Sequence, residues 1–123
     1  MSRPRFQPCP ATPNCVSTRA PADDRQHRAE PIAFTGDADA ALAAVLEVLA
    51  DAKRTEVRER DDRYAHAVAT SAVFRFKDDV EFEVDDAAKV IHYRSASRVG
   101  QSDLGANRKR MQELSALIEA RLS

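Results

Sequence analysis

Long apolar runs are missing from this chain of 123 residues. The longest apolar stretch, Ala38 to Ala50, is interrupted by Asp39 and Glu47 and is too short to cross a membrane. A leader pattern is missing too, because Met1–Arg5 leads into Phe6-Gln7-Pro8 rather than into an apolar segment. We therefore expect no membrane-spanning segment and a cytoplasmic location.

An excess of charge of one sign is also missing. The 19 Lys and Arg residues nearly balance the 20 Asp and Glu residues, which leaves a formal net charge of −1. Nucleic-acid binding through bulk electrostatics needs a basic footprint, and attraction to an anionic membrane needs clusters of basic residues. The composition therefore predicts neither nucleic acid nor a membrane as a partner.

Glycine and cysteine are scarce, which limits cofactor chemistry. The chain has three glycines and no Walker or dinucleotide-binding pattern. Its cysteines, Cys9 and Cys15, have only His27 nearby, whereas a zinc site needs four ligands. A catalytic thiol needs a paired base, and a local disulfide, although sterically conceivable, would be reduced in the cytosol. We expect no cofactor and no metal, and the residues alone favour two thiols in a surface arm.

Proline, by contrast, is concentrated at one end of the chain. All six prolines and both cysteines fall within residues 1–31. Such proline density forbids regular helices and central strands, and predicts a proline-rich extended arm that either wraps on the surface or stays mobile. Residues 32–123 are predicted to form a single folded domain.

Apolar periodicity predicts the elements of that domain. Asp37 is expected to cap a first helix that ends near Ala52, and a second helix is expected from about Ser102 to Arg121. Between them, a period of two predicts antiparallel strands with one face packed and the other in water: Thr55–Arg60, Tyr64–Thr70, Val73–Phe76, Val80–Val84 and Val90–Ser97. The fold class is α+β, an antiparallel four- to five-stranded sheet with two helices on one face, preceded by the arm.

The phase of the strands sorts the side chains into two sets. The predicted inward residues of the central strands are Phe74, Phe76, Val80, Phe82 and Val84, and the predicted outward ones are Arg75, Glu81 and Glu83. A single core is predicted from the shared inward phase of Leu42, Leu46, Phe74, Phe82, Ile91, Met111, Leu114 and Ile118.

The candidate functional site is the polar run from Tyr93 to Arg110, where the last strand leads into the second helix. It collects hydroxyls, basic side chains and a helix start, which together suit an anion. Asn107 falls within the apolar stripe of the helix, so its amide needs hydrogen bonds, and the Val99–Leu104 turn is the expected partner. Arg108 is expected beside that turn, close to Ser97 or Arg98.

Two interpretations of this run stay open. It is either a structural clasp between strand and helix, or a pocket for an anion or a carboxylate. The candidate ligand-binding residues are Arg94, Ser95, Ser97, Arg98, Asp103, Asn107 and Arg108. Asp103 also suits a helix cap.

Three motifs carry a resemblance to a known family. They are Pro8-Cys9-Pro10 with Thr12–Ser17, then Phe74–Phe82, and then Ile91–Gly100 with Ser102–Arg108. In order, and over nearly the whole chain, they resemble domain-of-unknown-function family 1499, a group of uncharacterised bacterial and plastid proteins. The resemblance implies a family cysteine pair at Cys9 and Cys15, which favours an arm disulfide in exported members. It implies a shared polar run, and the family has no established activity to carry over to this chain.

Three functions are compatible with these observations. The leading hypothesis is a non-catalytic binding or accessory module for a small anionic ligand or a partner, held near Arg98 and Arg108. The second is a hydrolase-type enzyme that uses Asp103 or a histidine as general base. The third is a protein-interaction module whose arm docks on a partner.

Overall fold

The computed structural model describes residues 4–73, 75–100 and 105–122 of the protein. Within these ranges the elements in chain order are β1 (Cys15–Ser17), β2 (Ile32–Ala33), α1 (Ala38–Asp51), β3 (Thr55–Arg60), β4 (Tyr64–Thr70), β5 (Lys77–Asp85), β6 (Val90–Ser97) and α2 (Ala106–Leu122). Every strand pair is antiparallel. The order is β1-β6-β5-β4-β3, and β2 pairs with the opposite end of β6 from β1. The α+β class is confirmed.

The described sheet has six strands rather than four or five: β1 and β2 join it, and β5 begins at Lys77, after the predicted strand Val73–Phe76. Strand β1 lies in the proline-rich stretch. Ser71 and Phe76 are bonded to each other: the Ser71 N–H donates to the Phe76 carbonyl and the Phe76 N–H donates to Ser71 Oγ, each at 2.9 Å. Phe76 is therefore 53% exposed, and its predicted inward position is wrong. Phe74 lies outside the described residues.

Both helices follow from local sequence. Asp37 caps α1 as predicted, because its carboxylate accepts a hydrogen bond from the Ala40 N–H at 2.7 Å. Helix α2 is described from Ala106, and the predicted start at Ser102 lies outside the described residues. In the described ranges, neither helix has the length and apolar character needed to cross a membrane.

The core lies between the two helices and one face of the sheet. Phe82, at the centre of β5, is fully buried and sits between Ala65 of β4 and Tyr93 of β6 in the register. The predicted core members Leu42, Phe82, Ile91, Met111, Leu114 and Ile118 are buried, and Leu46 packs against them partly buried. The prediction of one core on one face is thus confirmed for the described residues.

The opposite face of the sheet is covered, where the sequence predicted a face in water. Glu81 is fully buried there, so its predicted outward, solvated position is wrong. The cover is the N-terminal segment: the Phe6 N–H donates to Glu81 Oε2 at 2.9 Å, and Arg94 Nε donates to the Gln7 carbonyl at 2.7 Å. Strand alternation places Glu81 on the face away from the helices, as expected, but Glu81 itself is not in contact with water.

A disulfide fastens this segment to the sheet. Cys9 and Cys15 are bonded, with their Cα atoms 5.7 Å apart, where the residues alone favoured two thiols. Cys15 belongs to β1 and pairs with Ala96 of β6, so the disulfide ties the covering segment to the edge of the sheet.

Candidate functional site

The sheet divides the predicted site residues between its two faces. On β6, Ser95 and Ser97 point toward α2, and Arg94 points toward the N-terminal segment. Arg98 follows β6 and bonds to Asp79 on the same side as Arg94. The structure therefore brings Ser95, Ser97 and Asn107 together and leaves the two arginines elsewhere. Asp103 lies outside the described residues.

Asn107 joins β6 to α2. It is 1% exposed, and its Oδ1 accepts a hydrogen bond from Ser95 Oγ at 2.5 Å. Its Nδ2 donates to Ser97 Oγ at 2.9 Å and to the Asn14 carbonyl at 3.2 Å. The Asn14 side chain in turn donates to the Gly100 carbonyl at 2.9 Å, which ties the start of the turn after β6 to the same cluster. This arrangement has the geometry of a clasp between strand and helix.

A buried ion pair beside this clasp was missed by sequence reasoning. Arg110 Nη2 lies 2.8 Å from Asp78 Oδ2, and Arg110 Nη1 donates to Asn107 Oδ1 at 2.9 Å. Asp78 is buried at the helix side of β5. The sequence position of Asp78 could have revealed this pair. Asp78 lies two residues before the inward Val80, and residues two apart on a strand share one face.

The arginines of the other face are engaged by carboxylates. Arg98 forms a two-point ion pair with Asp79, in which Nε and Nη2 donate at 3.0 Å each. Asp79 also accepts from His66 Nε2 at 2.7 Å. On the adjacent strands, Glu81 Oε2 accepts from the Tyr64 hydroxyl at 2.7 Å. These groups tie β4, β5 and β6 together through side chains.

Arg108 contacts the loop between β1 and β2 instead of Ser97 or Arg98. Its guanidinium donates to the Gln26 carbonyl at 3.0 Å and to the Arg28 carbonyl at 3.1 Å. It lines a cleft of about 370 Å³ next to Tyr93. Burial raises the pKa of the Tyr93 phenol. The cleft therefore holds a neutral phenol at physiological pH.

His27 holds the loop that Arg108 contacts. Its Nδ1 lies 2.7 Å from Asp24 Oδ2, and its Nε2 lies 2.8 Å from the Thr12 carbonyl. Burial lowers the pKa of His27, but hydrogen bonds to Thr12 and Asp24 outweigh it, so the pKa lies above its ordinary value. The imidazolium form satisfies both acceptors. Among the described positions, no group of three or more His, Cys, Asp or Glu side chains is arranged to hold a metal ion.

A second cleft, which we call the basic cleft, concentrates positive charge. It has a volume of about 460 Å³ and lies between the end of α1, the paired ends of β3 and β4, and the first turns of α2. Four of its described lining residues are cationic, namely Lys53, Arg54, Lys109 and Arg110, and three carry hydroxyls, namely Thr55, Thr70 and Ser71. Glu113 is the only carboxylate in the described lining. The sequence signal was present as two pairs of adjacent basic residues, one at the end of a helix and one near the start of the next.

The four cations of the basic cleft differ in what holds them. Arg110 is fixed by Asp78, and Arg54 Nε donates to the Thr70 carbonyl at 3.2 Å. Lys53 and Lys109 are exposed and form no ion pair with any residue in the described ranges. The cleft therefore combines two positioned guanidiniums with two lysines that have no carboxylate partner there.

Comparison with known proteins gives a family. Neither the curated proteins nor the solved structures contain a match to this chain. A family model, described as a protein of unknown function, matches residues 5–118. That range includes both cysteines, all of the strands and most of α2. The chain therefore belongs to the DUF1499 family.

Proposed function

We propose that this protein is a non-catalytic binding module and that a small anionic ligand binds in the basic cleft. The observation that carries the proposal is the gathering of four cations around one cleft in a chain whose net charge is −1. Cationic side chains that converge on a concave site recognise phosphate and carboxylate groups by charge-assisted hydrogen bonds. This location differs from the one expected near Arg98 and Arg108, which lie on different sides of the sheet and do not converge.

The size and lining of the basic cleft suit a small molecule. Its volume of about 460 Å³ falls in the range of about 300–1,000 Å³ that is typical of ligand pockets. Val80 and Leu114 line it beside the hydroxyls, so the cleft offers apolar contact as well as charge. Arg110 is held by Asp78 before any ligand arrives, which lowers the ordering cost of binding.

The placement of the acidic and histidine side chains supports binding rather than catalysis. His66 and Arg98 both bond to Asp79, and the three side chains lie on the face of the sheet away from the basic cleft. Within the described lining of the cleft, Glu113 is the only side chain of the kind that commonly serves as a general acid or base below pH 8. We therefore expect a ligand to be held without being converted.

A melting experiment at constant ionic strength tests the proposal. Pyrophosphate and citrate are added to the full chain, and a bound anion raises the stability by about 2.7 kcal/mol at a concentration of 100 times Kd. The variant Lys53→Gln with Lys109→Gln removes the two lysines of the cleft, which form no ion pair with a described residue. The matched control, Arg25→Gln with Arg60→Gln, removes two exposed cations that do not line the cleft.

The two variants separate specific binding from general charge effects. The proposal expects the anion-induced shift to disappear in the cleft variant and to persist in the control. Equal loss in both variants, or no shift with either anion in the unmodified chain, would refute an anion site in the basic cleft.

A further inference from the structure

The N-terminal tripeptide Arg5-Phe6-Gln7 is bound to the sheet at each of its three residues. The Arg5 guanidinium lies 3.8 Å from the centre of the Tyr64 ring and 2.8 Å from Asp61 Oδ2. The Phe6 N–H donates to Glu81, and the Gln7 carbonyl accepts from Arg94. The tripeptide thus presents a cation, a backbone donor and a backbone acceptor in succession to the sheet. Proteins recognise short peptides through contacts of these kinds.

The ring of Phe6 is also specifically placed. It meets the Tyr64 ring edge-on, with 6.4 Å between centroids, and the Arg19 guanidinium lies 4.4 Å from its centre. Phe6 has a φ of +52°, a region that residues other than glycine rarely adopt. Such a conformation persists only where the surroundings over-determine it. The contacts on both sides of Phe6 are therefore strong enough to hold a kinked backbone.

The receiving side is preorganised by the sheet. Tyr64, Glu81 and Arg94 come from β4, β5 and β6, and Glu81 and Arg94 face each other in the register. The Tyr64 hydroxyl donates to the Glu81 carboxylate at 2.7 Å, which fixes the acceptor that meets the Phe6 N–H. Glu59 and Asp61 add negative charge where Arg5 lies. The surface is complementary to a cation followed by an aromatic residue.

We propose that Tyr64, Glu81 and Arg94 form a peptide-binding site for an arginine–aromatic segment. In this structure the chain fills the site with its own residues 5–7. A partner protein that presents the same arginine–aromatic pair fills it by exchange. This reverses the expectation that the arm itself docks on a partner, because the arm is the internal competitor for the site.

The disulfide sets the strength of that competition. With Cys9 bonded to Cys15 of β1, only Pro8 separates the fastened residue from the bound tripeptide. When the disulfide is open, the tether that joins the tripeptide to the sheet is the whole segment before β1. A longer tether lowers the effective concentration of the internal tripeptide at the site. We expect exchange to be easier in the reduced protein.

A peptide added to the full chain tests the site. The variant Arg5→Ala with Phe6→Ala weakens the internal occupant while leaving the receiving residues intact. The probe is acetyl-Pro-Arg-Phe-Gln-Pro-amide at up to about 5 mM, since tethered segments act at millimolar effective concentrations. The control probe is acetyl-Pro-Ala-Ala-Gln-Pro-amide. We expect the first probe to raise the melting temperature of the variant and to bind at least about tenfold more tightly than the control probe.

A second variant keeps the test decisive if the first one folds poorly. Replacing both cysteines, Cys9→Ser with Cys15→Ser, retains the native tripeptide on a longer tether. Its affinity for the arginine–aromatic probe should exceed that of the oxidised, unmodified chain. Arg25→Ala, an exposed change away from the site, should behave as the unmodified chain. The proposal is overturned if the two probes bind equally well. It is also overturned if neither variant binds either probe.

Discussion

Replacing Asn107 with leucine should destabilise the fold markedly, because its buried amide joins β6 to α2. The amide is 1% exposed and accepts a hydrogen bond from Ser95 Oγ, itself fully buried. Asn107→Leu keeps a side chain of similar size and removes both hydrogen-bonding groups. The Ser95 hydroxyl then loses the acceptor for its proton, and Arg110 loses one of its acceptors.

The magnitude follows from the groups left behind. An orphaned buried donor costs about 1–3 kcal/mol, and a hydrogen bond to a charged group contributes about 1.5–3 kcal/mol. Asp78 still pairs with Arg110, which reduces the second cost. We expect a loss of about 2–4 kcal/mol in the free energy of unfolding. Urea denaturation followed by circular dichroism measures it, since the chain has no tryptophan.

A double variant checks the reasoning behind that figure. Ser95→Ala together with Asn107→Leu replaces both partners with apolar groups, which is often close to neutral. The double variant should therefore be more stable than the sum of the single losses predicts. A loss below about 1 kcal/mol for Asn107→Leu alone, or strict additivity in the double variant, would refute the clasp.

Three further outcomes are expected. Phe82→Ala should cost about 3–5 kcal/mol in urea denaturation, as for other buried phenylalanines, and a loss near that of an exposed site would contradict the packing. The His27 imidazolium, whose pKa is raised, should stabilise the fold fully below about pH 6.5, and this stability should vanish as the pH rises through the raised pKa. The difference in melting temperature between the unmodified chain and His27→Gln should accordingly shrink from pH 6 to pH 9, and a constant difference would contradict it. Cys9→Ser with Cys15→Ser should lower stability by about 2 kcal/mol without reductant and hardly at all with it, and equal losses in both buffers would point to another role for these residues.

Periodicity was enough to predict most of the fold. The stripe of α1 and the alternation of β5 are dictated by the burial of apolar side chains, so the cap at Asp37 and the core around Phe82 could be predicted from the sequence. Phe76 was assigned wrongly because apolar character alone cannot reveal that its N–H bonds to the Ser71 hydroxyl.

The candidate site was harder to predict because it depends on distant parts of the chain. Alternation places Glu81 away from the helices, but no local signal separates a face in water from one covered by the N-terminal segment. Asn107 was identified because an amide within an apolar stripe demands partners. The contacts of Arg108 with the Gln26 and Arg28 carbonyls could not be foreseen, since they depend on the path of a loop far away in sequence.

Strand β6 imposes an order on folding. It pairs with β1 and β2 on one side and with β5 on the other, yet it is the last strand in the chain. The contact between Gln7 and Arg94 spans 87 positions, and contacts of such separation form late because loop closure must come first. During synthesis, the N-terminal segment therefore cannot bind to the sheet until β6 has emerged. The bond between Cys9 and Cys15 can form earlier, before the sheet is complete.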